Sequence, residues 1–259
     1  MIEVPVPPHL PFTLTVPTVY GLMLLNRHDI YQTNPLFKMG IAHEHNAIVL
    51  LARLLQECTP NRIVVDVGAN VGTFSIGLAS VVGPLGKIHA FEPQRIIYNM
   101  LAGSVALNSL VNVYCHNAAV GDHEGMIELP QFDYSRPMNF SSIEFGAEQV
   151  EPLAQARAHE PARLEYVPLT TLDRFEWQRV DLIKIDVEGM EAQVIAGARS
   201  TILRCRPILF VEFLKSDASA LRTVIAGFGY ELFEVGINYL AIPNELSRPL
   251  SAARSALVR

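Results

Sequence analysis

The sequence predicts an α/β protein built on a mostly parallel sheet with helices on both faces. Three observations carry that expectation. Short apolar runs such as "IVVDV", "DLIKIDV" and "PILFVEF" alternate with stretches of helical apolar spacing. The run "VVDVGANVGTFSIGLAS" leads from strand to helix through two glycines four apart. At 259 residues, half of them hydrophobic, the chain is long enough to bury the core of one large domain.

In chain order, residues 1–40 read as an extended arm, because five prolines interrupt "MIEVPVPPHLPFTLTVPTVYG". "HEHNAIVLLARLLQEC" is helical, with Ile48, Leu51, Leu54 and Leu55 on one face and "TPN" as its stop. A strand Ile63 to Val67 follows, then a helix opening near Gly72 and closing at "GPLGK". "KIHAFEP" is a second strand, Arg95 to Asn108 a helix, and "NVYCHNAAV" a third strand. The rhythm breaks from Gly121 to Pro168: "GDHEGMIELPQF" is read as a hairpin through "HEG", and "EQVEPLAQARAHEPAR" as part of a polar surface insertion over about 131–163. Regular alternation resumes with the strand "DLIKIDV", the helix "EAQVIAGARSTIL", the strand "PILFVEF", the helix "DASALRTVIAGFG" and two terminal strands. These readings divide the chain into an arm (1–40), a main domain (41–245) and a loosely attached tail (246–259).

Charge narrows the partners. A formal net charge of −6 supplies no basic field for nucleic acid or an anionic membrane, so neither is expected. No apolar run reaches the roughly 20 residues of a spanning helix, and the N-terminus lacks the basic start of a secretory signal. Cys58, Cys115 and Cys205 lie far apart without a CxxC pair, which reads as free thiols in a reducing, cytoplasmic setting. The proline-rich arm leaves a homo-oligomer open.

The strand-to-helix turn carries the chemistry. A dinucleotide fingerprint needs a middle glycine where this chain has Asn70, and no Gly-Lys-Ser/Thr follows to make a phosphate loop. Asp66 at the strand end would repel phosphate but favour a ligand carrying ammonium or sulfonium charge. S-adenosyl-L-methionine carries both and no phosphate. Gly68 lets the chain pass close under such a ligand, while Asn70 and the helix start after Gly72 can receive a carboxylate. Glu92 ends the next strand, where an acid accepts hydrogen bonds from ribose hydroxyls. Further on, Lys184, Asp186 and Glu188 interrupt an apolar strand at its carboxyl end, and such clusters are costly unless they serve a site. Their bland alternative is an internal ion pair with Glu188 supporting the helix start.

Together, "VVDVGANVGTFSIGLAS", "IHAFEPQ", "AAVGDHEG", "TTLDRF" and "DLIKIDVEGMEAQVIAGA" resemble the FkbM family of class I methyltransferases over about Gly40 to Glu234. The resemblance implies a Rossmann-like seven-stranded sheet with its last strand antiparallel. It also implies S-adenosyl-L-methionine-dependent methylation, usually of a hydroxyl, on a small natural product, a sugar or a glycan. Carried over by motif, Asp66, Gly68, Asn70 and Gly72 would line the methionyl end, Glu92 the ribose, and Asn117 with Ala118 the adenine edge. Asp186 and Glu188 would lie near the sulfonium and the acceptor. N-methylation of an amine and a non-catalytic adenosylmethionine-binding scaffold remain the alternatives.

A hydroxyl acceptor needs a base within hydrogen-bond reach. The candidates are Glu188, His45 and Asp186, histidine being the side-chain type whose ordinary range suits neutral pH. Glu44 is placed at the site by the family pattern, and Asn139, Ser141 and Ser142 in "SRPMNFSSIEFG" are candidates to order the acceptor, with Tyr134 or Phe140 to stack on it. HxH without further matched ligands is too weak to predict a metal.

Overall fold

The computed structural model describes residues 11–143 and 164–257. From the N-terminal side, β1 (Thr13–Thr18) and β2 (Gly21–Asn26) pair antiparallel, and α1 (Thr33–Met39) follows. Residues 13–39 are therefore a packed hairpin and helix where an extended arm was expected. Met23 and Leu25 of β2 are fully buried, and Asn108 accepts from the Leu22 N–H and donates to the Leu22 carbonyl. The alternation of apolar side chains along "MLL", unbroken by the prolines upstream, makes one face of β2 part of the core.

The helix α2 (His45–Gln56) buries Ile48, Leu51, Leu54 and Leu55, as its spacing predicts. After it come β3 (Ile63–Val67), α3 (Thr73–Leu78), β4 (Lys87–Phe91), α4 (Arg95–Leu107) and β5 (Val113–His116). The expected third strand then divides. Its second part, β6 (Ala119–Val120), leaves the main sheet and pairs parallel with β8 (Leu164–Thr170), which is in turn antiparallel to β7 (Gly125–Pro130). The expected hairpin through "HEG" is thus replaced by a three-stranded sheet, because β7 finds its partner in β8 across the interruption. The predicted insertion over 148–163 lies outside the described residues.

The chain continues with β9 (Leu182–Ile185), α5 (Glu191–Gly197), α6 (Arg199–Cys205), β10 (Ile208–Glu212), α7 (Ala218–Gly227), β11 (Tyr230–Val235), β12 (Asn238–Pro243) and α8 (Ser247–Leu257). The single helix expected over 191–203 is two, interrupted at Ala198. The segment expected to be a loose tail forms α8, because Leu250 and Ala253 reach the core one turn apart.

The main sheet has the order β11-β12-β10-β9-β3-β4-β5, all parallel except β12, which runs against both neighbours. This is the seven-stranded, mostly parallel α/β sheet with its last strand reversed. Side chains alternate across it. Val64, Ile88, Leu182 and Phe210 pack with α2, α3, α4 and α8 on one face, and Val65, Ile183, Leu209 and Val211 with α5, α6 and α7 on the other. Each such fully buried side chain contributes roughly 1.5–3 kcal/mol relative to exposure, so the two cores fix the strand ends rigidly. Parallel strands direct their carboxyl ends to one edge, where loops collect. Among the described residues no helix is long and apolar enough to cross a membrane.

Candidate active site

A cleft holding about 1050 Å³ of non-protein space, its open mouth included, lies over the carboxyl ends of β3, β4, β9 and β10. The turn after β3 forms its floor. Gly68 and Gly72 have positive φ, and the reason at Gly68 is a neighbour: a Cβ there would lie 1.8 Å from the Asp186 carbonyl oxygen. A Cβ at Gly72 would meet Leu101. Packing against the protein thus demands both glycines, whereas at Gly68 close passage under a ligand was the expected reason.

Asn70 also has a left-handed backbone, which Asn tolerates. Its N–H donates to Glu92 Oε2 at 3.0 Å, its Nδ2 donates to Ser141 Oγ at 3.0 Å, and Gln94 N–H donates to Glu92 Oε1 at 2.8 Å. Glu92 is 3% exposed yet borders the cleft. Burial pushes its carboxyl up to about 7, against the two backbone N–H groups and the Lys184 charge. Each of its oxygens keeps a lone pair for a further donor.

Beneath the floor, Asp66 is sealed from solvent: Oδ2 accepts from Ser75 Oγ at 2.6 Å and Oδ1 lies 3.6 Å from Lys184 Nζ. Lys184 also stands 3.3 Å from Asp186 Oδ2 and donates to the Gly68 carbonyl at 2.8 Å. Burial disfavours its charge, but Asp186 and Asp66 outweigh that and hold its pKa above the ordinary lysine value.

The loop after β9 is held by Glu191. Its Oε1 accepts from the Val187 and Gly189 N–H groups at 3.1 and 3.2 Å, and its Oε2 accepts from Ser216 Oγ. Glu188 sits between those bonds in the left-handed region at φ 58°, an unusual conformation for a residue with a Cβ. It faces Lys215 Nζ at 2.5 Å.

Of the predicted residues, Gly68, Asn70, Glu92, Ala118, Asp186, Glu188, Glu44, Asn139, Ser141 and Ser142 border the cleft. Asp66 and Gly72 stand behind it. Asn117 does not reach it: its Nδ2 donates to the Glu92 and Pro93 carbonyls at 2.9 Å and so braces the turn that carries Glu92. His45 is set against Tyr20, Nδ1 to hydroxyl 2.9 Å, and does not line the cleft. Phe140 is fully buried and stacks on Tyr134, so neither offers a platform there. Residues not foreseen are Gln94, which ties the loop by donating to the Phe140 carbonyl, Lys215 and Glu212. Glu212 had a visible signal: like Asp186, it is a lone carboxylate ending an apolar strand.

The family described as the methyltransferase FkbM domain matches residues 66–232. Methyltransferase sdnD of Sordaria araneosa is 31% identical over 159 residues, which cover 53% of this chain and 60% of that protein. Methyltransferase 1 of Beauveria bassiana (strain ARSEF 2860) is 22% identical over 229 residues, 82% of this chain and 89% of that one. A solved structure, the methyltransferase FkbM from Methylobacillus flagellatus KT, aligns with a TM-score of 0.47 at 20% identity over 67% of this chain and 39% of its own. The match to the Sordaria protein thus spans less than two thirds of that relative's length.

Proposed function

Since the chain belongs to the FkbM methyltransferase family, we propose that it is an S-adenosyl-L-methionine-dependent O-methyltransferase acting on a hydroxyl of a small natural product, sugar or glycan. One observation carries the reading: Gly68, Asn70, Glu92 and Asp186, from three separate strand ends, meet on one cleft. The residues suit the cofactor. Glu92, engaged by two backbone N–H groups, has lone pairs left for ribose hydroxyls. Phe91, Ala118, Ala119 and Val120 give an apolar wall for a purine, and no cationic side chain lines that end to select a phosphate. When bound, the cofactor supplies an electrophilic methyl group.

The chain's own contribution is alignment and proton transfer. Asn70 and the Asn139–Ser142 loop, joined through Ser141, orient polar ends in the cleft. Asp186, fixed by Lys184, places negative charge where a sulfonium would be stabilised.

The test is calorimetric titration of the protein with S-adenosylhomocysteine, S-adenosylmethionine and NAD in parallel, with Glu92→Ala, a change on the cleft itself, as control. Micromolar binding of the adenosyl sulfur compounds alone, lost in the control, is expected. Binding of NAD in their place would overturn the reading.

A further inference from the structure

The other carboxylates on the cleft or directly behind it each have a partner, Glu191 in the backbone and Ser216 bonds already described. Glu92 takes two backbone N–H groups, Asp66 takes Ser75, Asp186 faces Lys184, Glu188 faces Lys215, and Glu44 accepts from Gln32 Nε2 at 3.1 Å. Glu212 has neither hydrogen bond nor ion pair for its carboxylate among the described residues. It ends β10, and the parallel register of Val211 with Ile185 sets it beside Asp186. Strand alternation points Glu212 and Asp186 to the same face as the row Asp66, Lys184 and Phe210 one layer below. The cleft therefore keeps one uncommitted carboxylate beside the acid expected to face the sulfonium.

We propose that Glu212 is a catalytic residue: its carboxylate contacts the acceptor's hydroxyl beside Asp186 and takes its proton. This rests on the reading of the cleft as an adenosylmethionine site. The O–H proton passes to a Glu212 oxygen, the acceptor oxygen's electron pair forms the bond to the methyl carbon, and the electron pair of the broken methyl–sulfur bond stays on sulfur. Burial, then repulsion from Asp186, Glu188 and Glu191, raises the proton affinity of Glu212, with Lys184 opposing. Glu212 thus holds a proton in the unliganded cleft and gives it to solvent when a positive charge enters beside it, which leaves its carboxylate able to take the proton of a weakly acidic hydroxyl. Lys215 faces the site from the loop after β10, and β12 contributes only the uncharged Asn238 at this register. Glu188 is held instead as the ion partner of Lys215, and His45 is turned away.

The acceptor is unidentified, so the probe is sinefungin, in which an amine-bearing carbon replaces the methylated sulfur. Its affinity and proton exchange are compared with those of S-adenosylhomocysteine by calorimetry in two buffers of different ionisation enthalpy. In the wild-type protein sinefungin is expected to release close to one proton more than S-adenosylhomocysteine at pH 7. Glu212→Gln should abolish that difference and weaken sinefungin at least tenfold, with S-adenosylhomocysteine held within twofold. The inference falls if the ratio of the two affinities is unchanged in Glu212→Gln, or if Glu188→Gln alone removes the proton. If the wild type binds neither compound, the reading of the cleft falls, and the inference with it. Retained S-adenosylhomocysteine binding shows that Glu212→Gln is folded, and a Glu212→Asp variant should recover part of the proton release.

Discussion

Asp66 and Lys184 are register partners on adjacent parallel strands, with Lys184 Nζ 3.6 Å from Asp66 Oδ1 and both side chains withdrawn from solvent. The lysine also meets Asp186 and the Gly68 carbonyl, so one buried cation joins the first and third motifs of the site. Removing one partner of a buried pair leaves an uncompensated charge, which costs about 3–5 kcal/mol. Lys184→Met should lower stability by that order in urea titration and weaken S-adenosylhomocysteine binding with it. Wild-type stability in this variant would show that the pair is dispensable.

Gly68→Ala forces a Cβ to 1.8 Å from the Asp186 carbonyl oxygen at a residue with φ of +75°. Backbone strain and displacement of the β9 loop add, so a loss of roughly 3 kcal/mol or more is expected. The measurement is the thermal midpoint; a change of only a degree or two would contradict the packing argument.

Glu92 gives the protein a pH signature. Its carboxyl is raised to about 7 by burial, whereas in the unfolded chain it ionises near 4.5. Between those values the folded state holds a proton that the unfolded state has lost, so stability from this group is present below about 4.5 and falls away as pH rises through about 7. Glu92→Gln should flatten the slope of unfolding free energy between pH 5 and 8 by about 3 kcal/mol in total relative to the wild type. Identical slopes for the two proteins would refute the assignment. The comparison must be a difference, since Asp29, raised by burial to about 6, titrates in the same window.

His45→Ala separates two roles. The structure binds its Nδ1 to the Tyr20 hydroxyl, so the substitution should cost about 1 kcal/mol of stability. S-adenosylhomocysteine affinity should stay within twofold, and so should the proton release with sinefungin. A lost proton would return His45 to the reaction.

The strands and first turns are legible because their signal is local. "IVVDV" fixes β3 to the residue, and the spacing of Ile48, Leu51, Leu54 and Leu55 gives the buried face of α2. What was not legible depends on distant partners. Nothing within "NVYCHNAAV" tells that Ala119 and Val120 leave the main sheet, since the strand they join begins beyond the interruption. The tail became α8 only because Leu250 and Ala253 find a core surface already built by α2. The site divides in the same way. Asp186 and Glu92 announce themselves as acids at strand ends, whereas Lys215 is placed by a loop whose position follows from Glu191 and Ser216. His45 looked reactive by residue type, but Tyr20 of the hairpin, far away in sequence, claims it.

Pro130 and Leu164 are register partners at the last rung of the β7–β8 ladder. Whatever chain lies between them, its two ends are pinned a strand's width apart by the rest of the fold. Doubling the length of such a closed segment adds only about 0.6 kcal/mol of closure entropy. Its near end carries Asn139, Ser141 and Ser142 onto the cleft. Its first part is anchored, since Phe132, Met138, Phe140 and Ile143 belong to the core, so the freedom to change length without refolding the sheet lies beyond Ile143. On the proposed reading, acceptor choice and donor binding are therefore separable only beyond Ile143, because Asn70 of the donor side is itself bonded to Ser141.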